Sequence, residues 1–135
     1  MLAAVMALSG VAQAAPISGK ADAKCLKLTI KTVGPGYNPS NYTFIGGTEG
    51  NDNFDTLATA DPQVFCGFGG EDYRSTLDGN EVFLGGTGND LVGGFNNGTF
   101  YGQDGNDDVT DNEGTFYGGA GNDTVGQDNG GIFVD

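Results

Sequence analysis

The sequence predicts an all-β fold: a parallel β-roll, a flattened right-handed solenoid, with an N-terminal capping strand region. Three observations predict it. Glycine occupies 26 of 135 positions, well above the usual ~7%, and glycine is costly inside helices and strands. A turn rich in glycine and aspartate recurs at a fixed period. Between these turns Phe and Val alternate in register.

Residues 1–15 read MLAAVMALSGVAQAA, an apolar run followed by Ala12-Gln13-Ala14. That is the pattern of a secretory signal peptide, too short to span a bilayer. No Lys or Arg precedes the run, which leaves open a start further upstream. A buried N-terminal helix is the alternative. Residues 25–32 alternate, with Leu26, Leu28 and Ile30 on one face and Lys27, Thr29 and Lys31 on the other, the pattern of a half-buried strand. Lys20, Lys24, Lys27 and Lys31 are four of the five basic residues, and lysines discourage edge pairing. Residues 16–45 are therefore expected to cap the first coil, as solenoids require, with a loop at 34–42 around Pro35 and Pro39. Cys25 and Cys66 are the only cysteines. In an exported chain they favour a disulfide pinning the cap to the roll, two free buried thiols being the alternative.

The roll is expected over residues 46–135. Gly85-Gly86-Thr87-Gly88-Asn89-Asp90-Leu91-Val92 aligns without gaps with Gly102-Gln103-Asp104-Gly105-Asn106-Asp107-Asp108-Val109 and Gly118-Gly119-Ala120-Gly121-Asn122-Asp123-Thr124-Val125. The aspartates step by 17 and 16, and Phe83, Phe100, Phe116 and Phe133 step by 17, 16 and 17, with Val92, Val109 and Val125 near the midpoints. That period fits neither an amphipathic helix nor a hairpin meander. It fits a coil of turn, strand, opposite turn and strand, with Phe pointing inward from one sheet and Val from the other. A disordered Gly/Asp tract is the alternative, but disorder requires no such register. The rung at Arg74 is expected to be bulged or exposed, because a charge cannot point inward unpaired. No comparable cap follows Phe133, which makes the chain a candidate fragment of a longer array.

Charge narrows the function. Eighteen acidic residues against five basic ones give a net charge of -13. Nucleic acid and anionic membrane call for a basic surface, so neither is an expected partner, and nothing predicts membrane insertion. With no histidine in the chain, imidazole metal sites and His-based catalysis are excluded. Carboxylates and backbone carbonyls suit hard cations. Coiling stacks Asp90, Asp107 and Asp123 in a row at strand spacing, ~4.8 Å, where they repel one another. Ca²⁺ converts that repulsion into ligation, and suits the site better than Mg²⁺, which demands a small rigid octahedron.

These segments resemble the G-G-x-G-x-D-x-U-x nonapeptide of the RTX (repeats-in-toxin) family, the hemolysin-type calcium-binding β-roll. Residues 85–93 and 118–126 match every fixed position, and residues 102–110 depart only at Gln103. Residues 47–55 depart at Thr48, with Phe54 at the apolar position, and residues 67–75 depart further, with Arg74 there. The resemblance implies Ca²⁺ between neighbouring turns of one edge. Its ligands would be Asp90, Asp107 and Asp123 with carbonyls of Gly85, Thr87, Gly88, Gly102, Asp104, Gly105, Gly118, Ala120 and Gly121, and, as weaker candidates, Asp52 and Asp72. The opposite turns at 95–97, 111–113 and 128–130 lack the motif and read as polar turns, with metal as the alternative.

The expected function is a secreted, calcium-dependent structural or interaction module that folds outside the cell, where its partners are calcium ions and an unidentified cell-surface or extracellular ligand. Surface adhesion or ice binding is the alternative, although the Thr87 position becomes Asp104 and Ala120, which breaks a flat threonine ladder. RTX arrays often follow hydrolase domains, so a fragment of a secreted hydrolase lacking its catalytic part is a third reading. The chain carries neither H-E-x-x-H nor G-x-S-x-G, and no enzyme activity is expected.

Overall fold

The computed structural model describes residues 22–36, 41–57 and 62–135. The expected signal peptide and Lys20 lie outside the described residues. The strands are β1 (Thr43–Gly46), β2 (Gln63–Gly69), β3 (Tyr73–Arg74), β4 (Val82–Thr87), β5 (Leu91–Asn96), β6 (Thr99–Asp104), β7 (Asp108–Asn112), β8 (Thr115–Ala120), β9 (Thr124–Asn129) and β10 (Ile132–Val134). They alternate between a six-stranded sheet, β1-β2-β4-β6-β8-β10, and a four-stranded sheet, β3-β5-β7-β9. Every pairing is parallel. The result is a β-solenoid of about five turns.

The repeat places the core. Phe65, Phe83, Phe100, Phe116 and Phe133 are successive register partners in the larger sheet. From Phe83 to Phe133 their rings stack at centroid spacings of 4.9–5.0 Å, the strand spacing itself. Val92, Val109 and Val125 face them from the smaller sheet, in register with Arg74. Phe54, in a short 3-10 turn (Phe54–Leu57), closes the N-terminal end of this core and touches Phe65 and Phe83.

Two expectations need correction. Residues 25–32 are not a strand: α1 (Ala23–Thr32) is a helix. Alternation over so short a stretch does not separate the two periods, and tertiary packing chooses. Asp22 caps the helix by accepting the Cys25 N–H at 2.7 Å. Cys25 and Thr29, four residues apart, are buried, whereas Ile30 is 42% exposed. The helix lies on the outer face of the larger sheet, where Cys25 packs with Phe44, Val64, Cys66, Val82 and Leu84 in a second apolar cluster. The Cys25–Cys66 disulfide is formed, with a Cα–Cα distance of 5.6 Å, and joins helix to sheet.

The second correction concerns Arg74. Its rung is neither bulged out nor exposed: Arg74 points inward and is 7% exposed. Nη2 donates to Glu81 Oε2 at 3.2 Å and Nη1 to Asp55 Oδ1 at 3.4 Å, while the guanidinium lies 4.7 Å from the Phe65 ring centroid. Pairing and the aromatic face make the burial tolerable.

Candidate functional site

The repeating turns form one long edge of the solenoid, and each links its first glycine to its aspartate. A Cβ built on Gly47, Gly67, Gly85, Gly102 or Gly118 would collide with Oδ2 of Asp52, Asp72, Asp90, Asp107 or Asp123 respectively. The glycine hydrogens make room for a carboxylate that turns in under its own loop. At the second position of the last four turns the backbone takes positive φ whether or not the residue is glycine: Phe68 72°, Gly86 112°, Gln103 82° and Gly119 106°; Thr48, in the first turn, does not. The fourth-position glycines pack backbone to backbone, so a Cβ at Gly88, Gly105 or Gly121 would strike the carbonyl of Gly70, Gly88 or Gly105.

This folding brings Asp90, Asp107 and Asp123 together, and Asp52 and Asp72 join the same row. The backbone N–H of Asp52 donates to Asp72 Oδ1, that of Asp72 to Asp90, that of Asp90 to Asp107, and that of Asp107 to Asp123, at 2.8–2.9 Å. Asp52, the first of the row, has its carboxylate satisfied locally by the N–H of Thr48 at 2.6 Å and by the Thr48 hydroxyl. Asp52, Asp72, Asp90 and Asp107 are at most 1% exposed.

The second oxygen of these carboxylates is the unusual feature. Oδ2 of Asp72, Asp90, Asp107 and Asp123 is buried and has no hydrogen-bond donor. Beside it lies another acceptor. The Cβ position of Gly67 is crowded by Asp72 Oδ2 and by the carbonyl of Gly85, that of Gly85 by Asp90 Oδ2 and the carbonyl of Gly102, and that of Gly102 by Asp107 Oδ2 and the carbonyl of Gly118. Buried acceptors without a donor are costly. Burial pushes the carboxyl of Asp72 up to about 8, that of Asp90 up to about 7 and that of Asp107 up to about 6. The backbone N–H each accepts opposes the rise, and the next carboxylates in the row reinforce it. Asp52 is raised by burial against its Thr48 bonds.

Two of the carbonyls expected as ligands have partners along the stack. Those of Asp104 and Ala120 accept the N–H of Gly88 and Gly105 at 2.8 Å, and Thr87 pairs in register with Asp104. Among the described residues no three acidic or cysteine side chains converge on one point. A cation on this edge would therefore draw on one or two carboxylates together with carbonyls. By donor type the row fits a hard cation: its oxygens are anionic, stacked and short of positive charge.

The opposite edge holds a ladder that reasoning from the motif missed. Asn96 Nδ2 donates to Asn112 Oδ1 at 2.8 Å and Asn112 Nδ2 to Asn129 Oδ1 at 2.8 Å. Each also donates to a carbonyl, Asn96 to Thr115 and Asn112 to Ile132. The signal was present, since an Asn follows each of Val92, Val109 and Val125 by three or four residues. These amides bond from rung to rung, with only Asn96 Oδ1 at the head of the ladder buried without a donor, so this edge shows polar turns rather than a carboxylate row. No protein-family model matches the chain, and no curated protein or solved structure matches it.

Proposed function

We propose that the chain is an exported module that binds Ca²⁺ along its aspartate edge and is stabilised by it, serving as a structural or interaction element rather than an enzyme. One observation carries this reading. Four stacked aspartates each keep a buried oxygen with no donor, against the carbonyl of the following rung for three of them. Such a row calls for positive charge, and a cation that accepts both carboxylate and carbonyl oxygens supplies it. Asp72, Asp90, Asp107 and Asp123 would hold the ions, with carbonyls of Gly85, Gly102 and Gly118. Bound calcium would neutralise the row, so metal affinity and folding stability are linked. The match of the turns to the RTX nonapeptide supports the same assignment, and the Cys25–Cys66 disulfide suits an oxidising, extracellular setting.

Thermal unfolding followed by circular dichroism tests it. Millimolar CaCl₂, the range typical of extracellular modules, is expected to raise Tm by several degrees over EDTA, with Mg²⁺ doing much less. Equal Tm in calcium and EDTA, together with no heat of binding on calorimetric titration, would reject the assignment.

A further inference from the structure

We propose that the groove between α1 and the turn carrying Phe68 binds a small anion with an apolar body, its acidic head held by Lys24, Lys27 and Lys31 and its body lying on Leu28 and Phe68. A cavity of about 210 Å³ is lined by apolar atoms of these five residues, so the lysine stems form its wall and their ammonium groups stand outside that wall. It adjoins a second of about 290 Å³ that shares Lys24, Leu28 and Phe68 and is bordered by Glu49 and Asp104.

Charge complementarity sets the ligand's sign. The chain carries -13 overall, yet every lysine among the described residues borders this groove. Spacings of three and four residues place Lys24, Lys27 and Lys31 along one helix face with Leu28 between them. The other described basic residue, Arg74, is buried against Glu81. A small basic site in an acidic field favours a compact anion over an extended one. A membrane surface would meet the net charge together with Glu49 and Asp104 at the rim. The volume suits a single fused-ring or short-chain group.

Phe68 is the second observation. It adopts φ 72°, where the matching positions hold Gly86, Gln103 and Gly119, and a bulky residue in that region is strained. Its side chain is only partly buried, and Lys24 Nζ lies 4.1 Å from its ring centroid. The same ammonium is 3.0 Å from Glu49 Oε1, an exposed pair of the kind that contributes little stability. An incoming anion competes with Glu49 for Lys24, so removing the Glu49 charge assists binding. Seating the helix alone would produce no such effect.

The test is a titration of the ¹⁵N-labelled full chain with 2-naphthoate, read by amide chemical shifts. Saturable shifts confined to residues 24–31 and 68 are expected. The exposed double variant Lys27→Glu/Lys31→Glu should weaken binding roughly tenfold or more and Glu49→Gln should tighten it about two- to fivefold, with both effects shrinking at high salt. Neutral 2-naphthalenemethanol should bind much more weakly. The proposal is overturned if no saturable shift appears, if the shifts map elsewhere, if both variants bind like the parent, or if the neutral alcohol binds as well as the acid.

Discussion

At the scale of single residues, the site is a contact between the first glycine of each turn and the aspartate five positions later. The row of carboxylates is therefore sensitive to charge at constant shape. Asparagine retains the Oδ1 acceptor and replaces the orphaned Oδ2 by a donor beside a carbonyl. Asp90→Asn/Asp107→Asn is expected to be more stable than the parent in EDTA at pH 8, by about 1–3 kcal/mol, and to lose most of the calcium response. Urea unfolding in EDTA and in calcium measures both; a variant less stable in EDTA would show that the charge itself holds the turns. Gln103 offers a separate check. It holds φ 82° where its counterparts Gly86 and Gly119 sit, and its Oε1 is buried without a donor. Gln103→Gly should gain about 1 kcal/mol, relief of left-handed strain outweighing the extra freedom of the unfolded chain. An unchanged or lower denaturation midpoint would contradict this.

At the scale of elements, the stack tolerates a break in the valine row because the break is paired. Arg74 stands between Phe54 and Val92 in that row, and Glu81, 6% exposed, is its closest partner in charge. Arg74→Val should cost about 3 kcal/mol by leaving Glu81 buried and unpaired, and Arg74→Val/Glu81→Gln should recover much of the loss. Chemical denaturation of the two variants decides the point: equal losses would mean that the ion pair is not what holds the rung. Helix α1 shows why local pattern was insufficient. The same Leu and Lys spacing serves either period, and Asp22, Thr29 and the disulfide to Cys66 tipped it to helix.

At the scale of the whole molecule, the edge makes the pH dependence run opposite to the usual one. Asp72, Asp90 and Asp107 have folded values raised to about 8, 7 and 6, against an unfolded value near 3.9. Between those limits the folded state binds more protons than the unfolded chain, so stability falls as pH rises. The net charge of -13 works in the same direction through self-repulsion. In EDTA, Tm should be highest near pH 4–5 and drop by several degrees by pH 8, and calcium should restore most of that loss. A metal-free Tm that rises from pH 5 to pH 8 would contradict the raised values.

The sequence by itself determined the solenoid, its coil length, the Phe and Val rows and the position of the aspartate edge. All of these follow from a repeat whose register each coil reproduces, so local spacing already carries the long-range contact. Asp90, Asp107 and Asp123 were legible for that reason, and the Cys25–Cys66 pair from cysteine count and expected compartment. Tertiary structure alone decided what the repeat does not encode. It settled α1 as a helix on the outer face, turned Arg74 inward to Glu81, and used the carbonyls of Asp104 and Ala120 within the stack. It also left Oδ2 of Asp72, Asp90, Asp107 and Asp123 without a donor. These are outcomes of packing between segments distant in the chain, where burial and pairing outweigh local propensity.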